Sequence, residues 1–162
     1  MFFYNPNIHP RAEYERRRAE LVRLCDLSGV ELIEAGFDPD AWERAVGPYS
    51  DQPEGSQTQR CQACYRLRMM ATARAARETG YDRFCVTLTL SRHKASGVLA
   101  RIGEQVAAES GVAYQHEDFK KRGGEVFAAQ RSRQLGLYRQ DYCGCRLSLA
   151  EAARRRQGAV AS

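Results

Sequence analysis

Apolar residues along this chain recur with a period near two in short runs and a period near 3.6 in longer ones, as expected for strands interleaved with helices. Phe2 to Tyr4 reads as the end of an apolar strand, followed by the loop Asn5-Pro6-Asn7-Ile8-His9-Pro10. From Arg11 to Ser28, Leu21, Leu24, Cys25 and Leu27 recur at near-helical spacing beside a charged face holding Arg16, Arg17 and Arg18, and Gly29 stops the run. Val30 to Ala35 reads as a short strand. Asp40 to Val46 reads as a short helix with Asp38 or Asp40 near its N-terminus. The stretch from Gly47 to Gln59, rich in Gly, Pro, Ser and Gln, reads as a mobile polar loop. A strong helix follows through Ala76 and ends at Gly80, and Phe84 to Leu90 has the apolar, β-branched character of a buried strand. Ser91-Arg92-His93-Lys94 puts polar groups at the C-terminal end of that strand. Val98 to Ala108 reads as a helix, Val112 to Tyr114 as a strand, Glu125 to Leu135 as a helix and Leu147 to Arg156 as a basic helix. No internal repeat is evident.

Consecutive strands joined by helices must run parallel, so the expected fold is α/β with a parallel sheet flanked by helices. A chain of 162 residues with 43% hydrophobic content suits one compact domain, expected over residues 1–157, with 158–162 as a frayed tail. The longest apolar runs are only a few residues, which fits neither a signal peptide nor a membrane span and places the protein in the cytoplasm. In a reducing compartment six cysteines act as ligands or catalysts more readily than as a disulfide framework. The net charge of +5 and pI near 9.0 favour a polyanionic partner such as nucleic acid.

The chemistry concentrates in two thiol pairs. Cys143-Gly144-Cys145 ends the stretch that begins at Leu137. Side chains two apart on an extended segment point the same way, so both thiols can address one centre, and a glycine between them would also let them close as a strained, easily reduced ring. Cys61-x-x-Cys64 lies at a helix N-terminus, where free amides and the helix dipole lower thiol pKa values. Four cysteines in two close pairs suit an iron–sulfur cluster, a structural zinc or a redox-active pair. Cys25 on an apolar helix face and Cys85 inside an apolar strand read as core residues.

Basic residues gather near these motifs: Arg60, Arg66, Arg92, Lys94, Lys120, Lys121, Arg122, Arg131, Arg133 and Arg139. A charge run is usually a solvated face, but Tyr65, Tyr138 and Tyr142 are interleaved with this one, and aromatic rings stack on splayed bases while arginines hold phosphates. Lys120-Lys121-Arg122-Gly123-Gly124 opens a helix whose glycine amides could hold a phosphate. Lys94, Lys120, Lys121, Arg139 and Tyr138 are the expected nucleic-acid-binding residues of this cluster.

Taken in order, several blocks resemble the QueH family of epoxyqueuosine reductases. They are Phe3-Tyr4-Asn5-Pro6-Asn7-Ile8-His9-Pro10 with Glu13-Tyr14, Arg60-Cys61-x-x-Cys64-Tyr65-x-Leu67-Arg68, Thr87-Leu88-Thr89-Leu90-Ser91-x-x-Lys94, Asp118-Phe119-Lys120-Lys121 and Leu137-Tyr138-Arg139-Gln140-x-Tyr142-Cys143-Gly144-Cys145. The resemblance implies a single domain with a Rossmann-like (HUP-like) parallel sheet and a Cys-rich metal site. It implies reduction of epoxyqueuosine to queuosine at the wobble position of tRNA, without cobalamin. The cofactor it implies is a 4Fe–4S cluster with an additional iron, and the partners are tRNA with a GUN anticodon and an electron donor. Carried over residue by residue, Cys61 and Cys64 are cluster ligands and Cys143 and Cys145 a redox-active pair or ligands to the further iron; for the implied reaction on tRNA, Lys94, Lys120, Lys121, Arg139 and Tyr138 are the expected tRNA contacts and Asp118 and Asp141 the candidate proton donors. The family also has a preceding strand and helix with an adjacent Cys-Cys pair. The chain as given starts at what resembles the second strand, so it reads as an N-terminally truncated domain.

Overall fold

The computed structural model describes residues 1–160. In chain order the elements are β1 (Phe2–Phe3), α1 (Arg11–Ser28), β2 (Ile33–Glu34), α2 (Pro39–Val46), α3 (Gln59–Glu78), β3 (Arg83–Phe84), α4 (Ser96–Ser110), β4 (Ala113–Tyr114), α5 (Gly124–Gln134) and α6 (Arg146–Val160). Short 3-10 turns lie at Gly47–Tyr49, Thr87–Leu90 and Lys121–Gly123. The molecule is thus mixed α/β and mostly helical. No helix among the described residues is long and apolar enough to cross a membrane.

The pairings are parallel, as strand–helix alternation requires: Phe2 sits opposite Ile33 and Arg83 opposite Ala113. They form two sheets of two strands each, and no single sheet runs through all four strands among the described residues. The apolar run Phe84 to Leu90 explains part of the difference. Only Arg83 and Phe84 join a ladder, after which the chain enters the 3-10 turn Thr87–Leu90, where the Thr89 hydroxyl bonds main-chain groups distant in sequence. Thr89 Oγ1 donates to the Glu117 carbonyl at 2.7 Å and accepts from the Phe119 amide at 3.3 Å, fully buried. Cys85, expected in the core, is exposed: Phe84 takes the inward face and the next residue of an extended segment faces the other way.

α1 has the expected bounds, and Gly29 caps it in the left-handed conformation. Its buried contribution is Tyr14 and Cys25 rather than Leu27, which is 60% exposed. Tyr14 packs between Phe3 and Phe37 at ring-centroid distances of 5.4 and 4.5 Å. α2 starts where Asp38 accepts a hydrogen bond from the Ala41 amide at 3.0 Å. The main core lies between α3 and α4, where Met69, Ala73, Leu99 and Val106 are fully buried. Truncating Leu99 to alanine there would cost about 2–5 kcal/mol. Gly103 lets α4 lie against β4, since a Cβ at that position would come within 2.5 Å of the Tyr114 ring. A smaller cluster of Trp42, Val46 and Cys145, with Cys64, Leu67 and Leu147 packed on it, joins α2, α3 and α6 and carries two of the four thiols, while Cys61 belongs to the main core. α6 continues to Val160, beyond the residue at which the tail was expected to fray; Ala161 and Ser162 lie outside the described residues.

A candidate thiol centre between α3 and α6

Two helix starts bring the cysteines together. Thr58 caps α3, its hydroxyl accepting from the Cys61 amide at 3.4 Å, so Cys61 lies in the first turn and Cys64 follows one turn later. Cys145 precedes α6 and receives the Ser148 amide on its Sγ at 3.3 Å, while its thiol donates to Ser148 Oγ at 3.4 Å. The Gly55 amide donates to Cys61 Sγ at 3.4 Å. Cys64 lies within electrostatic reach of Cys61, Cys143 and Cys145, so all four thiols share one neighbourhood. All are free, including the Cys143 and Cys145 pair that a strained ring would join.

Burial governs their protonation. The Cys64 thiol is pushed up by desolvation, against the helix-dipole expectation, with Arg68 and Trp42 opposing. Burial also pushes Cys143 up to about 12, although the Lys94 ammonium pulls it down. Lys94 Nζ donates to Cys143 Sγ at 3.4 Å and pairs with Glu54 at 3.1 Å, and the residue is buried. Desolvation alone would lower the Lys94 pKa, but Cys143, Tyr65 and Glu54 outweigh it and keep the ammonium charged. Glu54 comes from the stretch read as a mobile loop. That segment is tied down by Ser56, whose Oγ accepts from the Ala95 amide at 2.9 Å.

A sulfur-ligated group can be judged against this environment. No group of three or more His, Cys, Asp or Glu side chains among the described residues is arranged to hold a metal ion as it stands. The surrounding donors nevertheless fit an anionic, sulfur-rich occupant. Trp42 Nε1, Arg60 Nη2 and Arg68 Nε are buried without acceptors. Arg60 interacts electrostatically with Cys145 and Cys61 and Arg68 with Cys64, and the Trp42 indole N–H is directed at the Cys64 thiol. Donor-only groups buried around thiols are satisfied when the sulfurs become thiolates or bridging sulfides. Four soft ligands from two segments are also the donor chemistry of iron–sulfur and zinc sites. The set therefore fits chemically, and the thiols would have to close further to chelate.

The Cys143-Gly144-Cys145 backbone is clamped by α1. Arg17 is paired with Glu13 at 2.7 Å with both side chains about nine-tenths buried, and it donates to the carbonyls of Cys143 at 3.2 Å and Tyr142 at 3.3 Å. It also reaches the Gln140 side chain, and its guanidinium lies 5.0 Å from the Tyr142 ring centroid. Gly144 has φ 129°, and a Cβ there would meet Arg17 and Asn7 side-chain nitrogens at 3.0 and 3.1 Å. Arg16 and Arg17 had been assigned to a charged surface face, so this clamp was missed. The available signal was the Glu13–Arg17 spacing of four, which permits a pair but does not reveal a third partner.

The family model described as epoxyqueuosine reductase QueH matches residues 1–151. The chain belongs to the QueH family. The epoxyqueuosine reductase QueH of Thermotoga maritima is 35% identical over 153 residues, covering 93% of this chain and 79% of that protein. That of Streptococcus pyogenes is 34% identical over 151 residues, covering 90% and 58%. That of Helicobacter pylori is 34% identical over 154 residues, covering 91% and 41%. The chain spans about half the length of the latter two.

In this QueH chain the residues expected to meet tRNA divide into two groups. Lys94 is internal, as described. Lys120 donates to the carbonyls of Thr89 at 3.1 Å and Lys94 at 3.2 Å and pairs with Asp118 at 3.2 Å. Tyr138 is half-buried: its hydroxyl donates to Glu13 at 3.0 Å and its ring lies 3.6 Å from the Arg16 guanidinium carbon. Lys121 and Arg139 are exposed. Burial works against ionisation of Asp118, but hydrogen bonds from Lys120 and Ser96 outweigh it and hold the carboxyl below its ordinary value. It is therefore a carboxylate at neutral pH. Asp141 is exposed and paired with Arg156 at 3.2 Å.

Proposed function

We propose that this chain reduces epoxyqueuosine to queuosine at the wobble position of tRNA in the cytoplasm, the last step of queuosine formation, without cobalamin. Membership of the QueH family supports the reaction, since the curated relatives carry that activity in their names. The observation that carries the site is the gathering of Cys61, Cys64, Cys143 and Cys145 among buried donors that lack acceptors.

Removing an epoxide oxygen as water requires two electrons and two protons. A bound low-potential 4Fe–4S cluster and an additional iron would supply electrons singly and Lewis-acid chemistry. Cys61, Cys64, Cys143 and Cys145 would hold that centre. Trp42, Arg60 and Arg68 would donate toward its sulfurs, which stabilises negative charge there. Lys94 keeps a positive charge against Cys143 Sγ, and Glu54 holds the ammonium in place. Lys120 and Asp118 fix the main chain around Lys94 from the far side. A bulky modified base must leave the anticodon stack to reach this centre, so the protein grips tRNA carrying a GUN anticodon. The electrons come from a separate donor.

The test is to incubate the anaerobically reconstituted protein with epoxyqueuosine-containing tRNA and dithionite and to analyse the nucleosides by mass spectrometry. Queuosine should accumulate at the expense of epoxyqueuosine. Unchanged epoxyqueuosine with an intact centre would count against the proposal.

A further inference from the structure

The structure leaves much of the chain's positive charge away from the thiols. Residues 119–134 hold five cations, Lys120, Lys121, Arg122, Arg131 and Arg133, against the single carboxylate of Glu125. Lys120 is spent internally, but Lys121, Arg122, Arg131 and Arg133 are exposed and have no ion-pair partner among the described residues. Elsewhere Arg11 is paired with Glu15, Arg66 with Glu109 and Arg146 with Glu43, whereas Arg74, Arg92 and Arg101 are exposed without an ion-pair partner among the described residues, so it is the exposed ring beside such arginines that sets α5 apart. α5 buries none of its residues.

This helix nevertheless has two distinct sides. Gly124, Glu125, Ala128, Ala129, Ser132 and Leu135 are partly covered, whereas Val126, Phe127, Gln130, Arg131, Arg133 and Gln134 are exposed. At 100° per residue the exposed set occupies one continuous face. Phe127 is 70% and Val126 61% exposed, and Arg131 stands one turn beyond Phe127 on the same side. An exposed aromatic ring flanked by uncompensated arginines and lacking acidic neighbours on its face is the combination that holds unpaired nucleotides: the ring stacks on a base and the guanidiniums take the phosphates. A protein partner is less well matched, because the face offers it four unneutralised charges around two apolar side chains.

We infer that the outer face of α5, with the turn before it, is a single-stranded RNA platform on which Phe127 stacks an unpaired base while Lys121, Arg122, Arg131 and Arg133 hold the adjacent phosphates. The inference rests on the tRNA reading proposed above and assigns the grip to residues other than Lys94, Lys120 and Tyr138, which face inward.

The test measures binding of the full chain to a synthetic, unmodified anticodon stem–loop with a GUN anticodon and to a blunt duplex of equal length. F127A should weaken stem–loop binding about tenfold and leave duplex binding unchanged. F127L should behave like F127A and F127W like the native protein, since a ring and not mere apolarity is required. Arg131→Gln combined with Arg133→Gln should lower the log–log salt slope by about 1.4, from roughly 0.7 per phosphate contact on a single strand. Because these side chains are exposed, circular dichroism and thermal unfolding should not change. Native protein that binds the stem–loop with all these variants binding equally well would overturn the platform and leave the tRNA reading standing. Absence of stem–loop binding by native protein would overturn both. A dimer that F127A converts to monomer, with RNA affinity unchanged, would overturn the platform in favour of contact between two copies.

Discussion

Arg17→Met tests whether the Cys143-Gly144-Cys145 backbone is held from α1. The native guanidinium joins Glu13, the Tyr142 and Cys143 carbonyls and the Gln140 side chain, with its own side chain 10% exposed. Methionine keeps the volume and removes every polar contact. Breaking a buried ion pair from one side costs about 3–5 kcal/mol when the remaining charge is stranded. Glu13 here keeps the Tyr138 hydroxyl, donated at 3.0 Å, and is 11% exposed, which places the loss at the lower end. Each main-chain carbonyl left without a donor adds about 1 kcal/mol unless water reaches it. The contacts form one network and do not add fully, so the expected total is about 3–4 kcal/mol. That is a large share of the roughly 5–15 kcal/mol net stability of a domain. Urea unfolding should show the lower midpoint with an unchanged slope, and amide exchange should accelerate first across residues 138–145. Arg17→Lys restores the charge but not the forked donors, and should recover about half of the loss. A methionine variant within about 0.5 kcal/mol of native, or loosening elsewhere in the chain, would refute the clamp.

Gly144→Ala should destabilise the protein by about 1–3 kcal/mol, because φ 129° strains any side chain and the new methyl meets Arg17 and Asn7; a thermal shift too small to measure would contradict this. The Cys143 thiol has a folded-state pKa of about 12 against 9.0 as its ordinary value, so unfolded chains lose this proton first as the pH rises. In metal-free protein its stabilising contribution is complete below pH 9 and disappears toward pH 12, and Cys143→Ala should flatten the decline of stability over that window. Iodoacetamide at pH 8 should modify exposed Cys85 before Cys143 and Cys64 in metal-free protein, read by peptide mass spectrometry; the reverse order would show the thiols to be open. Cys61→Ser and Cys64→Ser should each abolish retention of iron, whereas Cys25→Ser and Cys85→Ala should leave the iron content unchanged.

What was legible in the sequence follows from the range of the interactions that decide each element. α1 ends where expected because a glycine after a helical period is a local signal. The Cys-x-x-Cys and Cys-x-Cys pairs were legible because the spacing of thiols along the chain is local as well. The run Phe84 to Leu90 misled because hydrophobic character cannot say how many residues of a strand will find a ladder, and here the Thr89 hydroxyl found main-chain partners 28 and 30 residues away. Lys94 and Tyr138 were assigned to the RNA face because composition counts charges and rings without their partners. Their partners, Glu54 and Glu13, lie 40 and 125 positions distant. Glu54 sits in a stretch that reads as polar loop, where no periodicity marks a half-buried acid. The unpaired cations of α5 were visible as a charge run, and only the structure separates them from the paired ones.

The most direct measurement of the central claim is iron and acid-labile sulfide content after anaerobic reconstitution, compared between the native protein and the Cys61→Ser, Cys64→Ser, Cys143→Ser and Cys145→Ser variants. If the four thiols form one centre, native protein takes up sulfide with a slight excess of iron, the further iron adding to the equal iron and sulfide of the cluster, turns brown and bleaches in air, and each serine variant loses most of that iron. A colourless protein holding zinc in the same four-cysteine-dependent way, or iron retained in every variant, would contradict it.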